Sequence, residues 1–498
     1  FMNNILILLL LVLKLWNPLS TEENKDDHLQ PYPENPHYLA WGDVPIFPLG
    51  PTDFHSWTPV SRPGTVDFIA HMGRLAEMID EIGSPNLKGF VRILPYDPMN
   101  HLHDGPVERT LQPWVLLEDG RYDLTQFEPE WEERFVSILD AALSREIVVS
   151  LEVWDDWSIT RGPGGEYDPG EGAAWNAHPF NPLNNINYEE SVLPAETSVC
   201  EAPFYNTIPS LGNNKPVLDL QKKYVNKLLE IASAYPNLII NIANESRAHL
   251  AWSRYWAEYI RGKVPPEFMI GDMPSTNRQD GGGECDHAFN PATLAIDSLY
   301  DFSDMSQAIS RHEFGANAND QALGGAIRIK EYRQAMAKAF GPRPLMITKD
   351  YTRGEDGGDV ILWSRLIGGA SSARFHRPGV DSEGVVEFQR EAALRLGKFI
   401  AEIPFWNMNP APEFLRATDE EISANILAEN HGHVVVQLLE SKKDQRLFFE
   451  LEPGTWSVRW IDPATGQVVD KGSASSENNM FEISIPVDLD HLVLHLSP

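Results

Sequence analysis

Cysteine is nearly absent from this 498-residue chain, which has only Cys200 and Cys285. Two cysteines build neither a disulfide scaffold nor a thiolate metal cluster. Both fall in segments expected to be loops on one rim of the fold, so one disulfide and two free thiols are equally open. Basic residues are few as well, 40 Lys plus Arg against 72 Asp plus Glu, for a formal charge of −32. Such a surface repels a phosphate backbone and an anionic membrane, which excludes nucleic-acid binding as the main function. It also disfavours a strongly acidic polysaccharide unless a local basic cleft exists. Long apolar runs are missing too. The run Ile5 to Leu13 has nine residues, too few to cross a bilayer. It fits the apolar part of a signal peptide over residues 1–20, although Lys14 follows directly and no Lys or Arg precedes it. Export is therefore the expectation. Three catalytic fingerprints are absent: a Gly-rich dinucleotide loop, His-Glu-x-x-His and Gly-x-Ser-x-Gly. No metal and no cofactor are expected.

What is present is apolar bulk and regular alternation. At 42% apolar residues, the chain can bury one barrel-sized domain and a small second one. Residues 21–37, charged and rich in Pro and Asn, are expected to form a linker. From about Tyr38, short apolar runs alternate with helical periodicities. The expected strands are Pro45–Gly50, Gly89–Leu94, Ile147–Trp154, Leu238–Ala243, Phe268–Asp272, Ala308–Glu313, Leu345–Thr348 and Ala370–Phe375. Helical spacing is expected between them, as in Val66–Ile82, where Phe68, Met72, Leu75, Met78 and Ile82 recur on one face. Residues 155–214 read as one long loop, and a loop of that length inside a compact domain is usually functional. Eight such units predict a (β/α)8 TIM barrel over residues 38–410. After about Pro412, short β-rich runs separated by turns such as Glu452-Pro453-Gly454 predict a small antiparallel β-sandwich over residues 411–498.

A barrel of this kind keeps its chemistry at the C-terminal ends of its strands. Here those ends would gather Arg92, Trp154, Asp155, Trp157, Asn244, Glu245, His312, Glu313, Asp350, Tyr351, Arg374 and His376. The mixture of carboxylates, aromatics and a few cations suits glycosidic cleavage, which needs two carboxyl groups flanking the bond and groups that hold sugar hydroxyls. Asn244-Glu245 stands out, a carboxylate just past the fourth apolar run. The plain alternative is a Glu that opens the next helix. Trp157 and Trp175 lie in polar sequence, where stacking on a sugar and core packing are evenly matched.

Three stretches carry a resemblance. They are Asn244-Glu245 after strand four, the motif Arg459-Trp460-Ile461-Asp462-Pro463-Ala464-Thr465-Gly466 in the tail, and the order of barrel then β-domain over about residues 38–498. On these the chain resembles a retaining barrel glycoside hydrolase of the clan with two catalytic glutamates, apiosidase-like and cellulase-like. Its tail resembles the β-domain often labelled collagen-binding. The resemblance implies a secreted enzyme acting on plant or algal polysaccharide, with Glu245 as acid/base. It also implies a nucleophilic Glu after strand seven, where this chain reads Thr348-Lys349-Asp350-Tyr351. Three readings follow. Asp350 is the nucleophile, about 5–5.5 Å from Glu245 as retention requires. Or Asp350 activates water across a wider gap and the enzyme inverts. Or Lys349 marks a barrel that binds glycan or matrix without cleaving it. Glu313 stands as another candidate carboxylate, or as a partner of His312 or Arg374. Trp460 and Asp462 are expected to be structural, because Asp-Pro-x-x-Gly is a turn signal.

Overall fold

A computed structural model describes residues 28–52, 58–61, 65–96, 111–160, 174–196, 202–246, 248–273, 299–309, 317–350, 358–376, 383–418 and 422–498. Eight parallel strands run in chain order: β1 (Val44–Gly50), β2 (Leu87–Ile93), β3 (Val148–Asp155), β4 (Leu238–Asn244), β5 (Ile270–Gly271), β6 (Ser303–Asp304), β7 (Leu345–Met346) and β8 (Ala373–Arg374). β8 pairs with β1, and pairing continues without a break from β1 to β5, while β6 pairs with β7. Backbone hydrogen bonds make the two remaining steps. Asp301 N donates to Ile270 O (2.7 Å) between β5 and β6, and Ser371 N to Leu345 O (2.8 Å) between β7 and β8. The parallel sheet therefore curls in the manner of the expected barrel.

Side-chain alternation explains the interior. Ile46, Phe90, Val148, Ile239, Met269, Phe302 and Met346 meet in one apolar cluster. Two residues further along five of these segments come Arg92, Ser150, Asn241, Asp304 and Thr348, all buried. With a period of two they share the inward face. The barrel interior thus changes from apolar at its base to polar toward the C-terminal rim.

Three expectations change. Residues 28–37 are not a linker: Leu29–Pro31 pairs antiparallel with Leu39–Trp41, and Leu29 and Leu39 join the apolar cluster at the barrel base. The sixth strand is Ser303–Asp304 rather than Ala308–Glu313. Ala308 and Ile309 instead follow it in a turn and pack with Ile329, Tyr332 and Met336 of the helix Ala318–Phe340. Burial of those two apolar side chains against a helix mimicked a strand signal. Within 155–214, the described residues hold short helical turns and an aromatic core rather than open loop.

After the closing helix Glu383–Ile400 come two antiparallel sheets, one of six strands and one of three. Val436, Leu438, Trp460 and Leu494 from the larger sheet share an apolar cluster with Leu447, Phe449 and Phe481 from the smaller. Trp460 is core, and Asp462 closes a turn. Its carbonyl accepts from Gly466 N (2.7 Å) and its carboxylate from Ala464 N and the Thr465 hydroxyl. Gly466 has φ +70°, which a side chain disfavours. The tail rests on the barrel helices through Gln437 Nε2 to Val360 O (2.8 Å) and Leu439 against Ala322, Val360 and Ile361.

Candidate active site

The polar end of the barrel is organised by charge. On β2, Arg92 is buried and forms an ion pair with Glu152 of β3. Its Nη2 also donates to Glu152 Oε2 and to Asn244 Oδ1, each at 2.7 Å. Asn244 ends β4 and is itself fully engaged: Oδ1 also accepts from Lys349 Nζ (2.8 Å), and Nδ2 donates to Asp155 Oδ1 (2.7 Å). Asp155 ends β3, and its Oδ2 accepts from Ser158 N (3.1 Å). A buried carboxylate or guanidinium is tolerated only when paired and hydrogen-bonded in this way.

Glu245 follows with φ +53°, a left-handed conformation that is costly for a residue with a side chain. The turn lifts its carboxylate out of the core, to 21% exposure, and its Oε1 pairs with Lys349 Nζ. Lys349 is only 1% exposed. Burial lowers its ammonium pKa from the ordinary lysine range, the Glu245 charge opposes that, and Arg92 adds to it. Of the two residues considered after strand seven, then, Lys349 is the one beside Glu245.

Asp350 lies elsewhere. It joins β8 through Asp350 N to Arg374 O (2.8 Å), and its Oδ2 accepts from Arg365 Nε (2.7 Å). Arg365 belongs to the helix Gly358–Ile367 and also donates to the carbonyls of Gln321 and Ile309. Asp350 thus faces the helix layer, where its charge is neutralised. The structure therefore does not bring Asp350 together with Glu245. The reason is local: β7 ends at Met346 and the chain bends at Thr348, so strand alternation no longer holds, and Lys349 reaches Asn244 and Glu245 while Asp350 reaches Arg365.

Arg374 of β8 is buried, with Nη1 donating to Thr348 O (2.9 Å); burial first, then Arg92, push its pKa down to about 9. His376 is half-buried and its amide donates to Asp350 O (2.7 Å). Trp154 is not a sugar platform. It is fully buried against Phe204, Tyr224 and Trp256, as Trp175 is against His178 and Phe204. His312, Glu313, Tyr351, Cys200, Cys285 and the Trp157 side chain lie outside the described residues.

Glu152 and Asp304 were missed, and both were findable. Glu152 is a charge inside the apolar run Val148–Trp154, two residues after Ser150 on the inward face. Asp304 accepts from the hydroxyls of Ser306 (2.6 Å) and Thr348, and burial raises its pKa. Among the described residues no group of side chains has the make-up of a metal site.

No family model and no curated protein matches the chain. Solved structures do. One titled only "Glycoside hydrolase" aligns at TM-score 0.60 and 10% identity, over 95% of this chain and 97% of that one. The likeness is one of fold. A glycoside hydrolase family 5 structure from Bacteroides vulgatus aligns at TM-score 0.59 and 12% identity, over 95% and 94%. A family 5 mannosidase from Rhizomucor miehei aligns at TM-score 0.50 and 9% identity, over 76% of this chain and 99% of that one. The first two alignments take in the tail as well as the barrel, because 95% coverage of this chain reaches beyond the barrel alone.

Proposed function

We propose that this chain is a glycoside hydrolase that works at the C-terminal rim of its barrel, with Glu245 at the centre of the chemistry. The observation that carries the reading is the placement of Glu245. It is a partly exposed carboxylate lifted from the end of β4 by a left-handed turn, beside an Asn244 held by the side chains of Arg92, Asp155 and Lys349, on a barrel with glycoside-hydrolase likeness. Hydrolysis requires a proton for the leaving oxygen and a second carboxylate across the sugar. The Lys349 ammonium favours the ionised form of Glu245. Glu245, with Lys349 beside it, is suited to act as a base or nucleophile. With Asp350 neutralised by Arg365, the second carboxylate falls to Glu313. The substrate class we assign is plant or algal polysaccharide, met outside the cell. The tail is a β-sandwich that packs on the barrel and extends no catalytic group.

The Lys349–Glu245 ion pair favours a second reading, a barrel that binds glycan without cleaving it. Hydrolysis of aryl glycosides and plant polysaccharides by the wild type, Glu245→Gln, Glu313→Gln and Asp350→Asn separates the two. The first reading expects activity lost in both Glu variants and retained in folded Asp350→Asn. A wild type that hydrolyses none of the panel yet binds a polysaccharide in affinity electrophoresis establishes the second.

A further inference from the structure

The left-handed turn at Glu245 needs an external hold, and the structure places one beside it. Asp272 follows β5 and is buried. Its Oδ1 accepts from Ala243 N (3.3 Å), in the strand that carries Asn244 and Glu245, and from Met273 N (3.0 Å). Its Oδ2 accepts from the Ser253 hydroxyl of the helix Leu250–Arg261, and that hydroxyl lies 2.6 Å from Tyr300 Oη. On the far side of the turn, Ser246 N donates to Met273 O (2.8 Å). The end of β5 therefore grips the chain on both sides of Glu245, one residue after its own strand ends.

We propose that Asp272 is a positioning residue for Glu245: its side chain holds the Ala243 amide while its neighbour Met273 holds Ser246, and together they fix the left-handed turn that aims the Glu245 carboxylate. The proposal rests on the reading of Glu245 as the reactive group. The physical basis is simple. A positive φ at a Glu persists only where the surrounding structure over-determines it. Two backbone amides flank the strained residue, and both are satisfied by adjacent residues of a neighbouring strand end. Ser253, whose hydroxyl also meets Tyr300 Oη, holds the other carboxylate oxygen, which restrains Asp272 from swinging away from Ala243. None of these groups needs to touch substrate.

Asparagine at 272 keeps an acceptor oxygen for Ala243 and Met273, whereas alanine removes it. Kinetics on the most active substrate of the panel should therefore separate the two variants. Asp272→Ala is expected to lose roughly 100-fold in kcat, as a misaimed group does, with KM within about twofold. Asp272→Asn is expected to retain most of the rate, and Ser253→Ala to fall between them. Crystal structures of the same variants are expected to show residue 245 leaving the left-handed region in Asp272→Ala and keeping it in Asp272→Asn. An unchanged turn in Asp272→Ala, or an equal loss in the alanine and asparagine variants, overturns the proposal. If Asp272→Ala does not fold, Ser253→Ala carries the test, and wild-type kcat with a wild-type turn there counts against the brace. If the wild type cleaves nothing, the hydrolase reading fails, and the turn geometry alone still decides whether Asp272 is the brace.

Discussion

Two neighbouring residues with opposite fates explain most of what this site can do. Lys349 turns inward to Asn244 and Glu245, and Asp350 turns outward to Arg365. The Asp350–Arg365 pair is almost wholly buried, 3% and 1% exposed, so its members are held by each other rather than by water. Removing one charge strands the other. We expect Asp350→Asn to destabilise the protein by about 3–5 kcal/mol, read from urea unfolding, while leaving the chemistry at Glu245 in place. Lys349→Met is expected to act in the reverse sense. It removes the cation that keeps Glu245 ionised, so Glu245 protonates at a higher pH. The acid-requiring step then extends to higher pH, which a kcat/KM profile of wild type and variant records. An unchanged profile would show that the ion pair does not control Glu245. That Glu245 would stand just past the end of a buried strand was readable from its place after an apolar run. That a lysine would meet it was not, because the sequence distance between residues 245 and 349 hides which strand ends face each other.

At the scale of elements, the alternation of apolar runs and helical periodicities placed seven of the eight strands, with edges shifted by a few residues. Helices bury one stripe and leave a 3.6-residue period that survives local variation. The sixth strand escaped because only Ser303 and Asp304 pair, both polar, while the apolar pair Ala308–Ile309 beyond them packs on a helix. Close approach between β5 and the segment entering β6 has a price in residue choice. A Cβ at Gly271 would lie 2.5 Å from Phe302 ring carbons. Phe302 is core at the barrel base and cannot yield without disturbing its cluster. Gly271→Ala is therefore expected to cost about 1–3 kcal/mol, measured by chemical denaturation, as overpacking does. A neutral result would mean that the ring has room to move.

At the scale of the whole molecule, the buried histidines among the described residues are the largest group that responds to acid. Burial is the first cause holding His37, His71, His178 and His495 to pKa values of about 3. The folded protein keeps them neutral, while the unfolded chain protonates them near 6.5. Their contribution to stability is complete above about pH 6.5 and is lost progressively as pH falls toward 3. Asp272, raised to about 7 mainly by burial, and Asp304, also raised by burial, work the other way: the folded state holds their protons and gains stability as pH falls through that range. Among the described residues these four histidines, joined by His433 and His491, whose pKa values burial also lowers, outnumber the two aspartates, so we expect net stability to fall between pH 6.5 and 4. Each uncompensated proton contributes about 1.4 kcal/mol per pH unit. Urea titrations at several pH values measure the slope, and His178→Phe is expected to reduce it by one proton. A slope that does not change in His178→Phe would place the acid sensitivity in other groups.

The amino-acid sequence by itself determined the alternating architecture, the change to β-structure after the closing helix, the turn at Asp462–Gly466 and the prominence of Glu245. Each of these rests on spacing within a few residues, where backbone periodicity and turn chemistry act. Only the tertiary structure decided that Lys349 rather than Asp350 reaches Glu245, that Trp154 and Trp175 are core, and that Leu29 and Leu39 seal the barrel base. Those outcomes depend on which side of a strand end faces the barrel axis and on what packs across it. Both are set by contacts between residues distant in the chain, and no local pattern encodes them.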